Sequence, residues 1–390
     1  MAQTIDQTKT GGFGNVAVIG FGLIGASFAA ALREANPSAQ VMAVDTDLAT
    51  RVEAVNRGWA TATAAPDAAE FREFIEDGCD LVVLATPVSV VEGYLKDLAE
   101  WGYRGIITDT ASTKSRIIEM AAHTLPYPQN FVPGHPMAGS EKNGIVGARA
   151  DLFKGAYWIL CPDADTPAEH FTRLHELITG IGARVISLPR EQHDAAVAVV
   201  SHVPHFTASS LVQLAVRHAK GQDSLMRLAA GGFKDSTRIA AGSPELWCGI
   251  AFDNKDALLG GLREMQGIIG QFADALEAGD RATLTSLLAE AADARRALPA
   301  AWLPCTERLL EVRIPMEDRP GVVAEVTTIT SKVGCNIQSI EIDHVTEDSA
   351  VLSLVLTDEG DIGKLSAHLI NAGFSVSFSP LAPKEHTHVG

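Results

Sequence analysis

Short apolar runs alternate with amphipathic stretches over the first half of the chain, from Asn15 to about Leu188. A strand that is buried on both faces of a parallel sheet reads as a continuous apolar run, and helices supply the crossover connections. The alternation therefore predicts an α/β domain with a doubly wound parallel sheet. The predicted strands are Val16–Ile19, Val41–Val44, Leu81–Ala85, Ile106–Thr108, Phe131–Val132, Tyr157–Leu160 and Val185–Leu188.

The pattern changes after Pro189. Residues 190–300 contain no convincing strand, and alanine and leucine recur at helical spacing, as in Ala208–Ala219 and Leu284–Ala297. Alanine-rich helices bury well against each other, and such faces commonly pair between subunits. We therefore predict an all-helical dimerisation domain and a homodimer as the assembly.

A third pattern begins near Glu307. Strand-like and helical runs follow in the order β-α-β-β-α-β, which is typical of a ferredoxin-like module. Strands are expected at L-L-E-V-R-I, C-N-I-Q-S-I-E-I, A-V-L-S-L-V-L and Phe374–Phe378, and helices at V-V-A-E-V-T-T-I-T-S-K and Ile362–Ala372. The predicted domains are thus residues 15–189, 190–303 and 307–383, after a loose polar tail.

The first predicted strand runs directly into Gly20-x-Gly22-x-x-Gly25, and Asp45 follows twenty residues after the last glycine. In a Rossmann domain the first glycine allows a tight turn, the second lets the backbone approach a pyrophosphate, and the third lets the helix pack on the strand. The helix N-terminus favours the phosphates. The Asp45 carboxylate would accept hydrogen bonds from a ribose 2′-hydroxyl and would repel a 2′-phosphate. It therefore favours NAD over NADP. The alternative is a flavin site or a purely structural turn. The predicted cofactor-binding residues are Gly20, Gly22, Leu23, Ile24, Gly25, Asp45, Thr86 and Pro87.

The amino-acid composition argues against several classes of binding partner. The chain has 390 residues, is 46% hydrophobic and 20% charged, and carries a formal charge of −17, which opposes binding to nucleic acid. Its five cysteines are far apart and never form a CxxC, as in proteins with reduced thiols and no zinc site. The longest apolar run, Val16–Leu32, is broken by glycines and lacks a basic flank. We therefore predict a cytoplasmic protein without membrane contact or metal.

Polar residues follow three predicted strands at their carboxyl ends, where ligands bind in an open parallel sheet. They are Thr86, the segment Asp109–Lys114 and His135. Oxidation of an alcohol by NAD+ requires a base for the hydroxyl proton, and neutral imidazole suits that task. We predict that His135 is the catalytic base and that Ser112 hydrogen-bonds the imidazole and the reacting hydroxyl. A structural role as a loop cap is the alternative for His135.

A second polar group lies in the predicted helical domain. It consists of His202 and His205 in S-H-V-P-H, and of Lys234, Asp235 and Arg238 in A-G-G-F-K-D-S-T-R. Pro204 is expected to kink its helix. Arg238 is predicted to clamp a carboxylate, because its planar guanidinium can bind both oxygens. A solvated salt-bridge cluster is the alternative, and the ligands are too few for a metal site.

Five segments resemble, in their order and spacing, the prephenate/arogenate dehydrogenase family. They are G-F-G-L-I-G-A-S, D-T-A-S-T-K, H-P-M-A-G-S-E, S-H-V-P-H and A-G-G-F-K-D-S-T-R. The C-terminal D-R-P-G-V-V-A-E-V and G-C-N-I-Q-S-I are similar to an ACT domain, a small module that often senses amino acids. The resemblance implies a Rossmann domain, a helical dimerisation domain and a regulatory domain.

The resemblance also implies roles for single residues. His135 matches the catalytic histidine, and Ser112 matches the serine that orients it and the ring hydroxyl. Substrate binding is assigned to His205, Arg238, Ser112, Lys234 and Gly231. A supporting polar network is assigned to Glu141, Lys234, Asp235 and Trp247. An amino acid is expected to bind the ACT-like module through Asp318, Pro320, Gly321, Asn336 and Ile337.

The expected reaction is NAD-dependent oxidative decarboxylation of prephenate to 4-hydroxyphenylpyruvate, in tyrosine biosynthesis, with tyrosine as a feedback inhibitor. An arogenate dehydrogenase, or a cyclohexadienyl enzyme that accepts both substrates, is the nearest alternative. A non-catalytic, NAD-bound amino-acid sensor is the alternative from another class. No chorismate-mutase-like segment precedes residue 15, so a fused bifunctional enzyme is not expected.

Overall fold

The computed structural model describes residues 11–139, 142, 144–219, 229–297, 309–346, 349–357 and 362–381. The chain divides into two compact units, residues 1–273 and residues 274–390. The first unit contains the predicted nucleotide-binding part and most of the helical part, and the second contains the C-terminal sheet.

A six-stranded parallel sheet forms the centre of the first unit. Its strands are β1 (Asn15–Ile19), β2 (Gln40–Val44), β3 (Ala62–Ala64), β4 (Leu81–Leu84), β5 (Ile106–Asp109) and β6 (Phe131–Val132). They lie in the order β3-β2-β1-β4-β5-β6, which is the order of a Rossmann domain. Five of the six were predicted. β3 was not, because its three small residues, A-T-A, form no apolar run.

Helices cover both faces of this sheet. They are α1 (Leu23–Ala35), α2 (Leu48–Asn56), α3 (Ala69–Glu76), α4 (Val88–Glu100) and α5 (Ser115–Thr124). Successive strand side chains point to opposite faces, so Val16 and Val18 enter one hydrophobic core while Ala17 and Ile19 enter the other. Because all strands are parallel, the segments that follow β1, β4 and β5 meet at one edge of the sheet.

A second sheet of three strands follows the first. It contains β7 (Gly134–Pro136), β8 (Tyr157–Leu160) and β9 (Arg184–Ser187), with α6 (Ala168–Gly180) between the last two. The prediction of one parallel sheet that includes β8 and β9 is wrong, since β8 pairs antiparallel with β7 and parallel with β9. Pro133, which cannot donate a ladder hydrogen bond, separates β6 from β7. The change of sheet carries His135 into a buried strand.

The helical part begins with one long helical run. α7 (Arg190–Val197) continues through a π turn at Ala198–His202 into α8 (Val203–Ala219). Pro204 lacks an N–H, and its ring crowds the carbonyl four residues earlier, inside that turn. The wider turn therefore accommodates the proline where a kink was predicted.

The run Arg190–Ala219 is also long and apolar enough to cross a membrane, judged by length and composition over the described residues. Core helices of soluble proteins pass the same test, so one such helix is weak evidence for a membrane span. This run carries three buried polar residues, His193, Asp194 and His202, that hydrogen-bond within the unit.

The remaining helices of this part are α9 (Gly231–Thr237), a 3-10 turn at Arg238–Ala241, α10 (Pro244–Asp253) and α11 (Lys255–Glu277). No strand occurs in residues 190–219 or 229–297, as the sequence predicted. Several large apolar side chains are more than half exposed, among them Leu214, Phe252 and Ile269. Exposed apolar side chains of this kind are typical of surfaces that pair with another subunit.

The second unit contains helices and an antiparallel sheet. The elements after α12 (Arg281–Ala297) are β10 (Leu309–Glu317), α13 (Val322–Lys332), β11 (Ile337–Thr346), β12 (Ser349–Leu356), α14 (Ile362–Asn371) and β13 (Ser377–Leu381). The strands lie in the order β11-β12-β10-β13. Alternate residues such as Val312, Ile314, Leu352 and Leu354 form the core under the two helices.

The last strand starts later than the predicted Phe374–Phe378. Gly373, at φ +89°, ends the turn after α14, and the Phe374 N–H donates to the Leu369 carbonyl at 2.9 Å. The ring of Phe374 is buried in the core. It therefore closes the helix end by a hydrophobic contact instead of opening a strand.

Candidate active site

The glycine-rich turn between β1 and α1 has the geometry of a dinucleotide cradle. Gly20 has φ +87°, and a Cβ there would lie 2.6 Å from the Ala85 carbonyl oxygen. A Cβ on Gly25 would lie 2.0 Å from the Gly20 oxygen, so helix and strand touch at this point. Among the described residues, a Cβ on Gly22 would meet nothing within 4 Å. The backbone at Gly22 is thus open to an approaching ligand, as its predicted role requires.

Asp45 stands beside this turn, directly after β2. Its Oδ2 accepts a hydrogen bond from the Phe21 N–H at 2.7 Å, and its Oδ1 accepts from the Asp47 N–H at 2.9 Å. Each carboxylate oxygen can accept two hydrogen bonds, so acceptor capacity remains for a ribose hydroxyl. Asp45 therefore also holds the turn in place, a role that the sequence did not predict.

The other predicted cofactor residues surround the same turn. Leu23 and Ile24 open α1, and Pro87 is the N-cap residue of α4. The Thr86 hydroxyl is buried without a hydrogen-bond partner among the described residues, and its methyl lies 2.9 Å from where a Cβ on Gly20 would stand. An unpartnered hydroxyl at this edge fits a bound dinucleotide.

A buried ion pair supports the start of β7. Lys114 and Asp109 are fully buried, and the Lys114 ammonium donates to the Asp109 carboxylate and, at 2.7 Å, to the Gly134 carbonyl. Asp109 also accepts from the Gly134 N–H at 3.0 Å. Burial raises the pKa of Asp109, and the adjacent Lys114 opposes that shift. These two residues of the D-T-A-S-T-K segment thus fix the backbone next to His135.

His135 is buried in β7, and its Nδ1 lies 2.8 Å from Nε2 of His193. Burial lowers the pKa of His135 well below its ordinary value, and the nearby Lys114, His193 and His202 lower it further. The imidazole is therefore neutral at physiological pH. A neutral ring nitrogen can accept a proton, as a catalytic base must.

Two residues that join this site, His193 and Asp194 on α7, were not identified from the sequence. His193 Nδ1 lies 2.8 Å from Asp194 Oδ1, so the three side chains form a continuous line from His135. Hydrogen bonds from His193, Ser115 and the Lys114 backbone lower the pKa of Asp194 to about 2 against the effect of burial. The only signal in the sequence is an adjacent His-Asp pair shortly after β9, which has no diagnostic spacing.

A second polar group adjoins the first. The Asn254 amide donates to the Asp194 carbonyl at 2.7 Å and lies 3.3 Å from His202 Nδ1. The His205 ring stacks on Trp247, with ring centroids 3.6 Å apart and planes at 13°. The His202 ring also meets Trp247, edge to face at 6.0 Å. Within the described residues, His202 Nε2 and His205 Nδ1 are buried without a hydrogen-bond partner.

The remaining predicted residues are placed less closely. Ser112 is half-buried after β5, and in the described part of the chain it makes no hydrogen bond to His135. Gly231, Lys234 and Asp235 lie exposed on α9. Arg238 is exposed at the start of a 3-10 turn that packs against α8, which carries His205. Glu141 lies outside the described residues.

The predicted regulatory residues belong to the second unit. Asp318 and Pro320 lie in the exposed loop after β10, and Gly321, at φ +88°, is the N-cap residue of α13. Asn336 is exposed before β11, which starts at Ile337, and its carbonyl accepts from the Thr357 N–H at 3.1 Å. Over the described residues, no group of three or more metal-binding side chains could hold a metal ion.

Comparison with known proteins identifies the family of this chain. Residues 28–187 match the family model of the prephenate dehydrogenase nucleotide-binding domain, and residues 189–290 match that of the prephenate dehydrogenase dimerization domain. The prephenate dehydrogenase of Bacillus subtilis (strain 168) is 32% identical over 350 residues, which are 89% of this chain and 93% of that protein. The chain belongs to the prephenate dehydrogenase family.

Two further proteins are similar to about three quarters of this chain. The cyclohexadienyl dehydrogenase of Zymomonas mobilis is 34% identical over 290 residues, 73% of this chain and 96% of that protein. The crystal structure of the Aquifex aeolicus prephenate dehydrogenase with hydroxyphenyl propionate and NAD+ superposes with a TM-score of 0.69 at 27% identity, over 73% of this chain and 98% of that one. The two matched family domains end at residue 290, before the C-terminal sheet.

Proposed function

We propose that this protein catalyses the NAD-dependent oxidative decarboxylation of prephenate to 4-hydroxyphenylpyruvate, a step of tyrosine biosynthesis. The observation that carries the proposal is the buried, neutral His135, held on β7 in a chain that belongs to the prephenate dehydrogenase family. The 32% identical relative from Bacillus subtilis is a prephenate dehydrogenase, and 93% of its length is matched.

NAD is the cofactor. The open backbone at Gly22, the unpartnered Thr86 hydroxyl and the free acceptor capacity of Asp45 fit its pyrophosphate and ribose, and the Aquifex aeolicus structure contains NAD+. Leu23, Ile24 and Pro87 complete the site beside the helix N-terminus. When bound, NAD+ supplies the hydride acceptor of the reaction.

The chain's own residues bind the substrate and remove a proton. His135 takes the proton of the ring hydroxyl, and Ser112 orients that hydroxyl. Arg238 holds a carboxylate of the substrate in a bidentate contact, with His205, Lys234 and Gly231 around it. Loss of CO2 then makes the ring aromatic, so the overall reaction is effectively irreversible. Glu141, Asp235 and Trp247 are proposed as the supporting polar network.

The helical part is proposed to form a homodimer. Its match to the family's dimerization domain and the exposed side chains of Leu214, Phe252 and Ile269 support this assembly. We propose domain boundaries at residues 15–189, 190–303 and 307–383 and a cytoplasmic location. The formal charge of −17 speaks against nucleic acid as a partner.

The C-terminal sheet is proposed to be an ACT-like, ferredoxin-like module that binds tyrosine. The strand order β11-β12-β10-β13 with two helices, in the chain order β-α-β-β-α-β, supports that fold. The ligand would meet backbone donors at the start of α13, near Asp318, Pro320 and Gly321, and at Asn336 and Ile337.

A dual-specificity cyclohexadienyl dehydrogenase, which would also accept arogenate, is the second candidate. The 34% identical relative from Zymomonas mobilis is a cyclohexadienyl dehydrogenase. The two substrates differ only in a keto or an amino group on the side chain, so a few contacts near His205 would decide between them.

The test compares NADH formation by the purified protein with prephenate and with arogenate. We expect a higher kcat/KM for prephenate, and for His135→Ala a kcat reduced about 10²–10⁴-fold with prephenate binding largely retained. Similar kcat/KM values for both substrates would favour the dual-specificity enzyme. NAD+ binding without turnover of either substrate would contradict catalysis and favour a sensor.

A further inference from the structure

We propose that His193 and Asp194 form a positioning pair that holds His135 in the one tautomer able to act as a base through Nε2. The inference rests on the proposed function, in which His135 removes the hydroxyl proton of the substrate. Neither residue was identified from the sequence, and their proximity to His135 arises only in the folded chain.

The proton positions follow from the hydrogen bonds of Asp194. Its Oδ1 accepts from the Lys114 N–H at 2.8 Å, and its Oδ2 accepts from the N–H and the hydroxyl of Ser115 at 2.8 and 2.5 Å. An ionised carboxylate only accepts hydrogen bonds. The contact of 2.8 Å between His193 Nδ1 and Asp194 Oδ1 therefore places a proton on Nδ1 of His193.

The same reasoning extends to His135. An imidazole that donates through Nδ1 alone has its lone pair on Nε2. His193 Nε2 therefore accepts the hydrogen bond across the 2.8 Å contact, and His135 Nδ1 donates it. With its proton on Nδ1, neutral His135 keeps an unprotonated Nε2, the nitrogen that can accept a proton from a substrate.

The His193–Asp194 pair also lies beside the positive charge that forms on His135 during the reaction. When a substrate O–H bond breaks and an N–H bond forms at Nε2, His135 becomes a cation that still donates through Nδ1. The Lys114 cation is paired with Asp109, and His202 accepts from Asn254 through Nδ1 and stays neutral. Through His193, the Asp194 carboxylate provides a negative charge on this side of the ring.

Asp194 is rigidly held for this task. The backbone N–H groups that it binds, of Lys114 and Ser115, form the start of α5, where the helix dipole stabilises a negative charge. The Asn254 amide additionally binds the Asp194 carbonyl. The line from α5 through Asp194 and His193 to His135 thus consists of hydrogen bonds that are buried or partly buried.

Two substitutions of His193 by amide side chains test its contact with His135 and its contact with Asp194 separately. In His193→Gln the amide reaches the place of Nε2, so its oxygen can still accept from His135 but its contact with Asp194 is lost. In His193→Asn the shorter amide reaches only the place of Nδ1, so it can bind Asp194 but not His135. We expect His193→Gln to keep kcat within about tenfold of wild type, and His193→Asn to lose about 10²-fold or more, with KM for prephenate unchanged in both.

A purely structural role would reverse that order, because the variant that satisfies Asp194 would then be the better one. A kcat for His193→Asn equal to or above that of His193→Gln therefore overturns the proposal. Wild-type dissociation constants for NAD+ in both variants serve as the control for folding.

A second measurement reports the tautomer in the wild-type protein and uses a variant only to assign the signals. The ¹⁵N chemical shifts of the imidazole nitrogens, assigned by the signals lost in His135→Gln, report the tautomer directly. We expect protonated Nδ1 and unprotonated Nε2 at His135, and the opposite tautomer would overturn the proposal. Absence of turnover by the wild type would contradict the proposed function instead, and the tautomer measurement would still test the pair.

Discussion

At the scale of single residues, burial sets the properties of the histidines. Burial lowers the pKa of His135 well below 6.5 and that of His202 to about 4. The unfolded chain, in which histidine titrates near 6.5, then binds more protons than the folded one at mildly acidic pH. The stability from these neutral rings is complete above about pH 6.5 and falls as the pH drops below that value.

Acidification from pH 7 to pH 5 should therefore lower the free energy of unfolding, by on the order of 1–2 kcal/mol from His202 after allowance for solvent screening. Asp194, whose pKa lies at about 2 instead of 3.8, keeps its full contribution until the pH falls below about 4, so it does not contribute in this window. Urea unfolding at both pH values measures the difference. His202→Gln should reduce it, and His175→Gln, at an exposed position, should leave it unchanged. An equal loss of stability in wild type and His202→Gln would contradict this prediction.

Single residues also show which part of the site could be predicted from the sequence and which could not. His135 was identified because it follows a strand in a distinctive segment. His193 is 58 positions away from it, on a helix whose sequence has no periodic signal for a partner. Tertiary packing creates that contact, so the residue that fixes the proton on His135 could not be predicted from spacing.

At the scale of elements, the turn between β1 and α1 combines two separable requirements. A Cβ on Gly25 would lie 2.0 Å from the Gly20 oxygen, whereas one on Gly22 would meet nothing within 4 Å in the part of the chain that the structure describes. Backbone contact at Gly25 is thus a condition of folding, and open space at Gly22 is a condition of cofactor binding.

Gly25→Ala and Gly22→Ala should therefore affect different quantities. We expect Gly25→Ala to lower the free energy of unfolding by roughly 2 kcal/mol or more, because backbone atoms have to move. Gly22→Ala should unfold like the wild type but bind NAD+ at least about tenfold more weakly, since its methyl would occupy the approach of the pyrophosphate. Denaturant midpoints and NAD+ dissociation constants measure the two effects. Loss of stability in Gly22→Ala with normal NAD+ affinity would contradict the assignment.

Elements with a strong apolar run were predicted well, and short or polar ones were not. β1, β2, β4 and β5 follow the predicted runs closely, because strands buried on both faces need continuous apolar sequence. β3 and β7 were missed, since A-T-A and G-H-P are short and carry no such run. Sheet membership of β8 was also mispredicted, because pairing partners depend on where the chain turns after Pro133.

At the scale of the whole molecule, the sequence predicted the type and order of three regions. It did not predict the contacts between distant segments. The helical composition after Pro189 and the β-α-β-β-α-β order at the C-terminus both agree with the structure over the described residues. The stack of His205 on Trp247 joins α8 and α10, and nothing in the two segments predicts that pairing. Such contacts depend on helix packing, which is decided by shape over many residues.

Feedback inhibition is a prediction about the whole chain. If tyrosine binds the proposed ACT-like module, a chain that ends at residue 303 should lose tyrosine sensitivity. In the full chain, Asn336→Ala should raise the tyrosine concentration needed for half-inhibition, whereas Lys332→Ala, an exposed neighbour, should not. Initial rates of NADH formation against tyrosine concentration measure both effects. Undiminished sensitivity of the shortened chain would show that tyrosine acts at another site.

The place of Asp194 in the molecule has one more consequence. Its carboxylate belongs to the helical part, yet it binds the first turn of α5 in the nucleotide-binding part and steers the catalytic imidazole through His193. Attachment of the two parts and readiness of the base therefore depend on the same side chain. Mild heating that loosens this junction is therefore expected to inactivate the enzyme while its helices and sheets remain intact.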